Sequence, residues 1–208
     1  MAGCRALANN LNWRAPGNNN SKGCGTAMRT APIGLAWHGD EDRITRMAAK
    51  TSELTHGHPA ATAGGVATAL LVSWALDGLP PDAMFDRLVE RARPISKEFV
   101  EKLMQVPTVL QAEPEAAYRV LGGAWTADEA VACALYAFWR SPRDYRQTVI
   151  TAVNMDGDSD SVGCIAGAIS GVFNGVEEIP SAWRQDVEKR DELIKVAHAL
   201  HGFADARE

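Results

Sequence analysis

Asp156, Asp158 and Asp160 stand at alternate positions in the stretch NMDGDSDSVGCIAGAISGVFNG, and Ser161 follows them directly. Carboxylates spaced this way on a loop can converge on one hard cation, and a serine hydroxyl adds a neutral oxygen. Without a cation their mutual repulsion raises at least one pKa and costs stability. A solvated loop without a metal is the alternative. The spacing excludes an EF-hand, which needs glycine at its sixth position and glutamate at its twelfth. Counted from Asp156, those positions hold Ser161 and Gly167.

Asp158, Asp160 and Val162 also match the D-x-D-x-T/V opening of a haloacid-dehalogenase-like phosphatase, with residues 149–153 as the strand that must precede it. That fold needs further catalytic groups downstream, and the mostly helical residues 163–208 offer too little room for them. It stays a weak competitor. A third arrangement, carboxylates at the mouth of a helical bundle, fits best. Gly163, Gly167, Gly171 and Gly175 recur every four residues, so they share one stripe of a helix. Each glycine costs about 1 kcal/mol relative to alanine inside a helix. The stripe therefore predicts a close approach by a neighbouring backbone, which would hold the aspartates rigidly.

The elements that must position these groups read as helices. Residues 43–54 and 60–76 carry apolar side chains at three-to-four spacing. Asp82 reads as the cap of a helix running to residue 93, Pro94 ends it, and Ser96 caps another through residue 104. Thr126 and Glu129 form a capping-box pattern before the apolar run 130–139. Residues 144–153 and 162–173 follow as helices, and Pro180 precedes a final polar helix over 183–200. Only 149–153 is β-branched enough to be a strand. No repeat interrupts this pattern, so the expectation is one all-α domain over residues 1–208. The turn-rich stretch LNWRAPGNNNSKGCG is different. Its glycines and asparagines offer the amides and positive-φ conformations of an anion-binding nest, and a helix from Thr26 would aim its N-terminus at a phosphate. A plain solvent loop is the other reading.

A net charge of −5 supplies no basic footprint, which argues against a nucleic-acid partner. The four cysteines (Cys4, Cys24, Cys133 and Cys164) form no CxxC pair, as expected of reduced thiols in a cytoplasmic protein. The start MAGCRALANNLNWRAPG has no apolar signal region. The uncharged run at 59–76 approaches membrane-span length, but Thr, Ser and Gly dilute it, and it reads as a buried helix rather than a membrane segment.

Three segments taken in order, SKGCGTAMRTAPIGLAW, THGHPAATAGG and NMDGDSDSVGCIAGAISG, resemble the ADP-ribosylglycohydrolase family. The similarity runs from about residue 18 to residue 200. The resemblance implies a compact orthogonal helical bundle, two divalent cations (Mg2+ or Mn2+) at the base of an ADP-ribose cleft, and hydrolysis of a glycosidic bond. It assigns Asp158, Asp160 and Ser161 as metal ligands, serine replacing the usual threonine, with Asp158 also catalytic. It gives Ser21, Lys22, Gly23 and Gly25 to the loop that wraps the diphosphate, and His56 to the distal ribose. His58 reads as structural, and Asp156 stands where the family often has glycine.

The implied substrates are an ADP-ribosylated protein or a small ADP-ribose conjugate. The chain departs from the family pattern at its start. Relatives carry GDxxG…E and TDD segments that provide the other metal ligands, and residues 1–17 are atypical and match neither. The expectation is therefore an N-terminally truncated member. Its half-site is completed by a partner chain or a homo-oligomer, or it binds ADP-ribose without catalysis. Asp40, Glu41 and Asp42, the nearest spare acids, read as a helix N-terminus.

Overall fold

Helices account for every extended regular element of the computed structural model, which describes residues 20–206. The atypical stretch 1–17 and Cys4 lie outside the described residues. A six-residue 3-10 turn, Cys24–Arg29, leads into α1 (Ala31–Ala36), α2 (Glu41–Glu53) and α3 (Pro59–Leu76). Then come α4 (Pro81–Ala92), α5 (Lys97–Leu103), α6 (Val106–Val109), α7 (Pro114–Leu121) and α8 (Ala127–Arg140). The chain continues through α9 (Tyr145–Val153), α10 (Ser159–Asn174), a 3-10 turn at Val176–Glu178, α11 (Ser181–Asp186) and α12 (Arg190–Asp205).

The core is organised by α3 and α8, which are apolar on most of their circumference and correspondingly buried. Around α3 pack α2, α1, α8, α10 and the first 3-10 turn. It is the one described helix long and apolar enough to cross a membrane, and 89% of it is buried inside the protein. Two glycines permit close crossings of α1 and α8 over α3. A Cβ on Gly34 would lie 2.1 Å from the Ala69 carbonyl oxygen, and one on Gly64 would lie 2.6 Å from the Ala127 Cβ. Either added methyl would push α1 or α8 off the central helix.

Side-chain caps fix several starts. Asp40 accepts from Arg43 N at 2.9 Å, Ser96 from Phe99 N at 3.2 Å, and Asp144 from Gln147 N at 2.8 Å. His58 Nδ1 accepts from Ala60 N at 3.1 Å, which is the structural task expected of it. Glu41 accepts from Trp74 Nε1 at 2.8 Å and pairs with Arg91, so the acids at 40–42 serve the fold.

Several local alternatives are settled or corrected. Residues 149–153 complete the helix expected over 144–153 rather than a strand, because the Asp144 cap starts α9 and Thr148, Thr151 and Ala152 then face the interior at helical spacing. This removes the strand that a haloacid-dehalogenase reading requires. α4 begins at Pro81 with Pro80 extended before it, leaving Asp82 in the first turn rather than at the cap. Thr126 makes no side-chain cap bond. Its backbone forms an isolated antiparallel bridge with Gly23, and Glu129 packs beside Gly122 instead. The final helix is broken at Lys189, whose φ is +58°. The glycine stripe behaves unevenly. A Cβ on Gly163 would meet Val153 Cγ1 at 2.7 Å, while Gly167 and Gly171 make ordinary contacts with Tyr145 and Gly175 ends α10 at φ +86°.

Candidate active site

The aspartates and the glycine loop are held by one shared segment, residues 122–127, on the edge where α8 begins. Asp158 N donates to the Gly123 carbonyl at 2.9 Å. Gly157, at φ +130°, presses so closely there that a Cβ would sit 2.4 Å from the Gly123 oxygen. Four residues along, Ala127 N donates to the Lys22 carbonyl at 2.8 Å, beside the Gly23–Thr126 bridge. The loop 21–25 and the start of α10 are thereby fixed to the same edge, although 130-odd positions separate them in sequence.

A direct contact closes the gap. Cys24 Sγ donates to Asp158 Oδ2 at 3.0 Å and lies 3.4 Å from Ser161 Oγ. Cys24 and Ser161 are buried, Asp158 is half-buried, and Asp160 is exposed. Partial burial pushes the Asp158 carboxyl up, but hydrogen bonding with Cys24, Ser161 and Asp160 outweighs that and holds it below the usual carboxylate range. Burial, then the Asp158 carboxylate, push the Cys24 thiol up to about 11, so it stays protonated and can donate. Asp156 is exposed and turns to a cavity of about 530 Å³ shared with Tyr118, Arg119 and Met155. It does not join Asp158.

On the other side of the loop stands His56. A Cβ on Gly23 would lie 2.8 Å from His56 Nε2, and one on Gly25 would lie 3.5 Å from Cε1. Neither Gly23 nor Gly25 has positive φ, so the nest geometry expected there is absent; Gly23 is extended, at φ −52° and ψ 145°, and is glycine to make room for the ring. The expected helix from Thr26 is instead the short 3-10 turn.

Arg29 ties these parts together by donating to the Gly25 carbonyl at 2.9 Å, the Thr51 carbonyl at 2.9 Å and Thr55 Oγ1 at 2.6 Å. Thr55 Oγ1 also lies 2.7 Å from His56 Nδ1 and donates to the Ser52 carbonyl at 3.5 Å. The other ring nitrogen, Nε2, faces the loop. Burial and the Arg29 charge lower the His56 pKa, so the ring is neutral. Ser21 Oγ accepts from Gly23 N at 3.5 Å, a long bond. Lys22 pairs with Glu98 at the start of α5, and that contact raises the pKa of its ammonium.

Seven of the residues singled out from the sequence thus surround one edge: Ser21, Lys22, Gly23, Gly25, His56, Asp158 and Ser161. Asp160 is adjacent on the first turn of α10. Cys24, Arg29, Thr55 and the exposed Trp125 went unread. A lone cysteine and a lone arginine carry no spacing signal, and their partners lie far along the chain.

The donor set is hard oxygen of the kind Mg2+ or Mn2+ takes, so the chemistry fits. Among the described residues no three His, Cys, Asp or Glu side chains converge as a group that could hold a metal ion, so Asp158, Asp160 and Ser161 would furnish only part of such a shell.

The ADP-ribosylglycohydrolase family model matches residues 1–208. The chain belongs to the ADP-ribosylglycohydrolase family. It is 28% identical over 211 residues to the ADP-ribosylhydrolase ARH3 of Mus musculus, an alignment covering 87% of this chain and 57% of that protein. It is 30% identical over 178 residues to an uncharacterised protein of Archaeoglobus fulgidus, covering 86% and 57%. A solved structure, an ADP-ribosylglycohydrolase-related protein complex, superposes with a TM-score of 0.79 at 30% identity, covering 98% of this chain and 69% of that one. The family fold is therefore the all-α bundle expected. The chain spans about three-fifths of the length of the curated relatives it matches.

Proposed function

We propose that this edge binds an ADP-ribose group and hydrolyses its glycosidic bond, with Asp158, Asp160 and Ser161 holding a divalent cation, Mg2+ or Mn2+. The observation that carries this reading is the Cys24–Asp158 contact, because it sets the glycine loop directly against the carboxylates. The backbone of Gly23 and Gly25, with no Cβ in the way, admits a diphosphate close to the chain. Lys22 balances its charge once released from Glu98. His56, neutral and with Nε2 facing the loop, hydrogen-bonds to a ribose hydroxyl. Asp158 stays ionised at neutral pH and accepts from, and orients, the attacking water or a ribose hydroxyl. Such cleavage passes through an oxocarbenium-like transition state. The bound cation supplies Lewis acidity and lowers the pKa of a coordinated water.

The substrate class is an ADP-ribosylated protein side chain or a small ADP-ribose conjugate, and the free thiols of Cys24, Cys133 and Cys164 suit a cytoplasmic setting. The test is release of ADP-ribose from modified arginine or serine by the purified chain with Mg2+ or Mn2+, abolished by Asp158→Asn. The partial donor set favours a second reading, an ADP-ribose-binding protein without turnover. Calorimetric binding of ADP-ribose together with no release selects it, and absence of both rejects the two readings.

A further inference from the structure

Two of the three oxygen donors proposed for the cation touch one side chain, and that side chain belongs to the loop that faces them. Cys24 Sγ contacts Asp158 Oδ2 at 3.0 Å and Ser161 Oγ at 3.4 Å, from a position only 8% exposed. A thiol is a weak donor, but a carboxylate is a charged acceptor, and charge-assisted bonds are the stronger kind. Asp158 sits at the N-cap of α10, where its carboxylate also hydrogen-bonds with Ser161 and Asp160. Cys24 is also the first residue of the 3-10 turn whose next residue, Gly25, is gripped by Arg29. A shift of Asp158 is thus transmitted into the loop backbone through one short bond.

We infer that Cys24 is a positioning residue that, as a thiol, orients Asp158 and Ser161 for a divalent cation and couples cation binding to the 21–25 loop without ligating the cation itself. This rests on the proposed assignment of Asp158, Asp160 and Ser161 as its ligands. Mg2+ and Mn2+ take oxygen in preference to sulfur, which keeps the thiol in the supporting role. A serine at this position would keep a donor, although with a shorter reach, whereas alanine would remove it.

The experiment is calorimetric titration of Mn2+ into the full chain, Cys24→Ser and Cys24→Ala, each with and without saturating ADP-ribose, with thermal melting of the metal-free proteins as a folding control. Loss of an outer-sphere hydrogen bond to a metal ligand typically weakens affinity about 10–100-fold. Cys24→Ala is expected to lose about tenfold or more, and Cys24→Ser to recover most of that loss. In the wild-type chain ADP-ribose tightens Mn2+ binding, and by reciprocity Mn2+ tightens ADP-ribose binding by the same factor. That factor shrinks in Cys24→Ala. Equal Mn2+ affinity in all three proteins overturns the role of Cys24 while leaving the site assignment standing. No Mn2+ binding by the wild-type chain refutes the assignment itself. Substituting Co2+ reads the role directly: a sulfur-to-cobalt charge-transfer band that vanishes in Cys24→Ala would make Cys24 a ligand and overturn the inference.

Discussion

Gly23→Ala should destabilise the fold, and Gly25→Ala should not, although the two glycines are two residues apart in one loop. The added Cβ at Gly23 would stand 2.8 Å from His56 Nε2, closer than real Cβ atoms come, and 3.1 Å from Cδ2, a tight contact. The loop cannot retreat, because Gly23 bridges Thr126 and Lys22 O accepts from Ala127 N. The ring must move instead, which breaks the 2.7 Å contact with Thr55. Overpacking of this kind costs about 1–3 kcal/mol, and a lost hydrogen bond about 1 kcal/mol. A net loss near ~2 kcal/mol corresponds to a fall in Tm of roughly 4–8 °C for a chain of this size. At Gly25 the new Cβ would meet His56 Cε1 at 3.5 Å, an ordinary contact, with φ outside the left-handed region. Thermal denaturation followed by circular dichroism measures both, and calorimetry with ADP-ribose follows the site. His56→Ala should relieve much of the Gly23→Ala loss in the double variant. Equal melting of the two glycine variants, or no relief from His56→Ala, would refute this steric reasoning.

Arg29→Lys keeps the charge but loses the fork that reaches the Gly25 and Thr51 carbonyls and Thr55 together. Stability should fall by about 1.5–3 kcal/mol in a denaturant titration, with ADP-ribose affinity falling as the loop loosens. The lowered pKa of His56 gives a pH signature. The unfolded chain takes up a proton near pH 6.5 and the folded chain only at lower pH, so stability is full above 6.5 and declines as pH falls below it. Tm measured from pH 7.5 to 5 should drop less steeply in His56→Gln than in the wild type. The lowered pKa of Asp158 acts lower on the scale. Its stabilisation is present above the unfolded carboxylate value and is lost as pH falls through the folded one, a decline that Asp158→Asn should lessen in acid titrations.

Much of the helical framework was legible because its signals are local. The run at 60–76 became Pro59–Leu76, and the caps at Ser96 and Asp144 form as their residue types suggest. Locality also explains the misreadings. Thr126 looks like a capping residue, yet its backbone is taken by Gly23, more than a hundred positions away. The β-branched residues at 149–153 left a strand open beside the helix expected over 144–153, and helical packing against α10 overrides that propensity. The glycine stripe pointed to backbone contact, whereas the closest approaches to backbone are made by Gly34 of α1, against Ala69, and by Gly157, against Gly123. At the candidate site, motif similarity singled out Ser21, Lys22, Gly23, Gly25, His56, Asp158, Asp160 and Ser161 but not the side chains that contact them. Cys24, Arg29 and Thr55 act through distance and angle, which a linear pattern does not encode.

The central claim is that the edge shared by residues 21–25 and 158–161 holds a divalent cation beside an ADP-ribose diphosphate. Crystallising the chain with Mn2+ and ADP-ribose and collecting data at the manganese edge tests this most directly. The expected result is an anomalous peak about 2.1–2.2 Å from oxygens of Asp158 and Asp160, with the diphosphate along the Gly23–Gly25 backbone. A manganese peak elsewhere, or a nucleotide bound away from that loop, would contradict it.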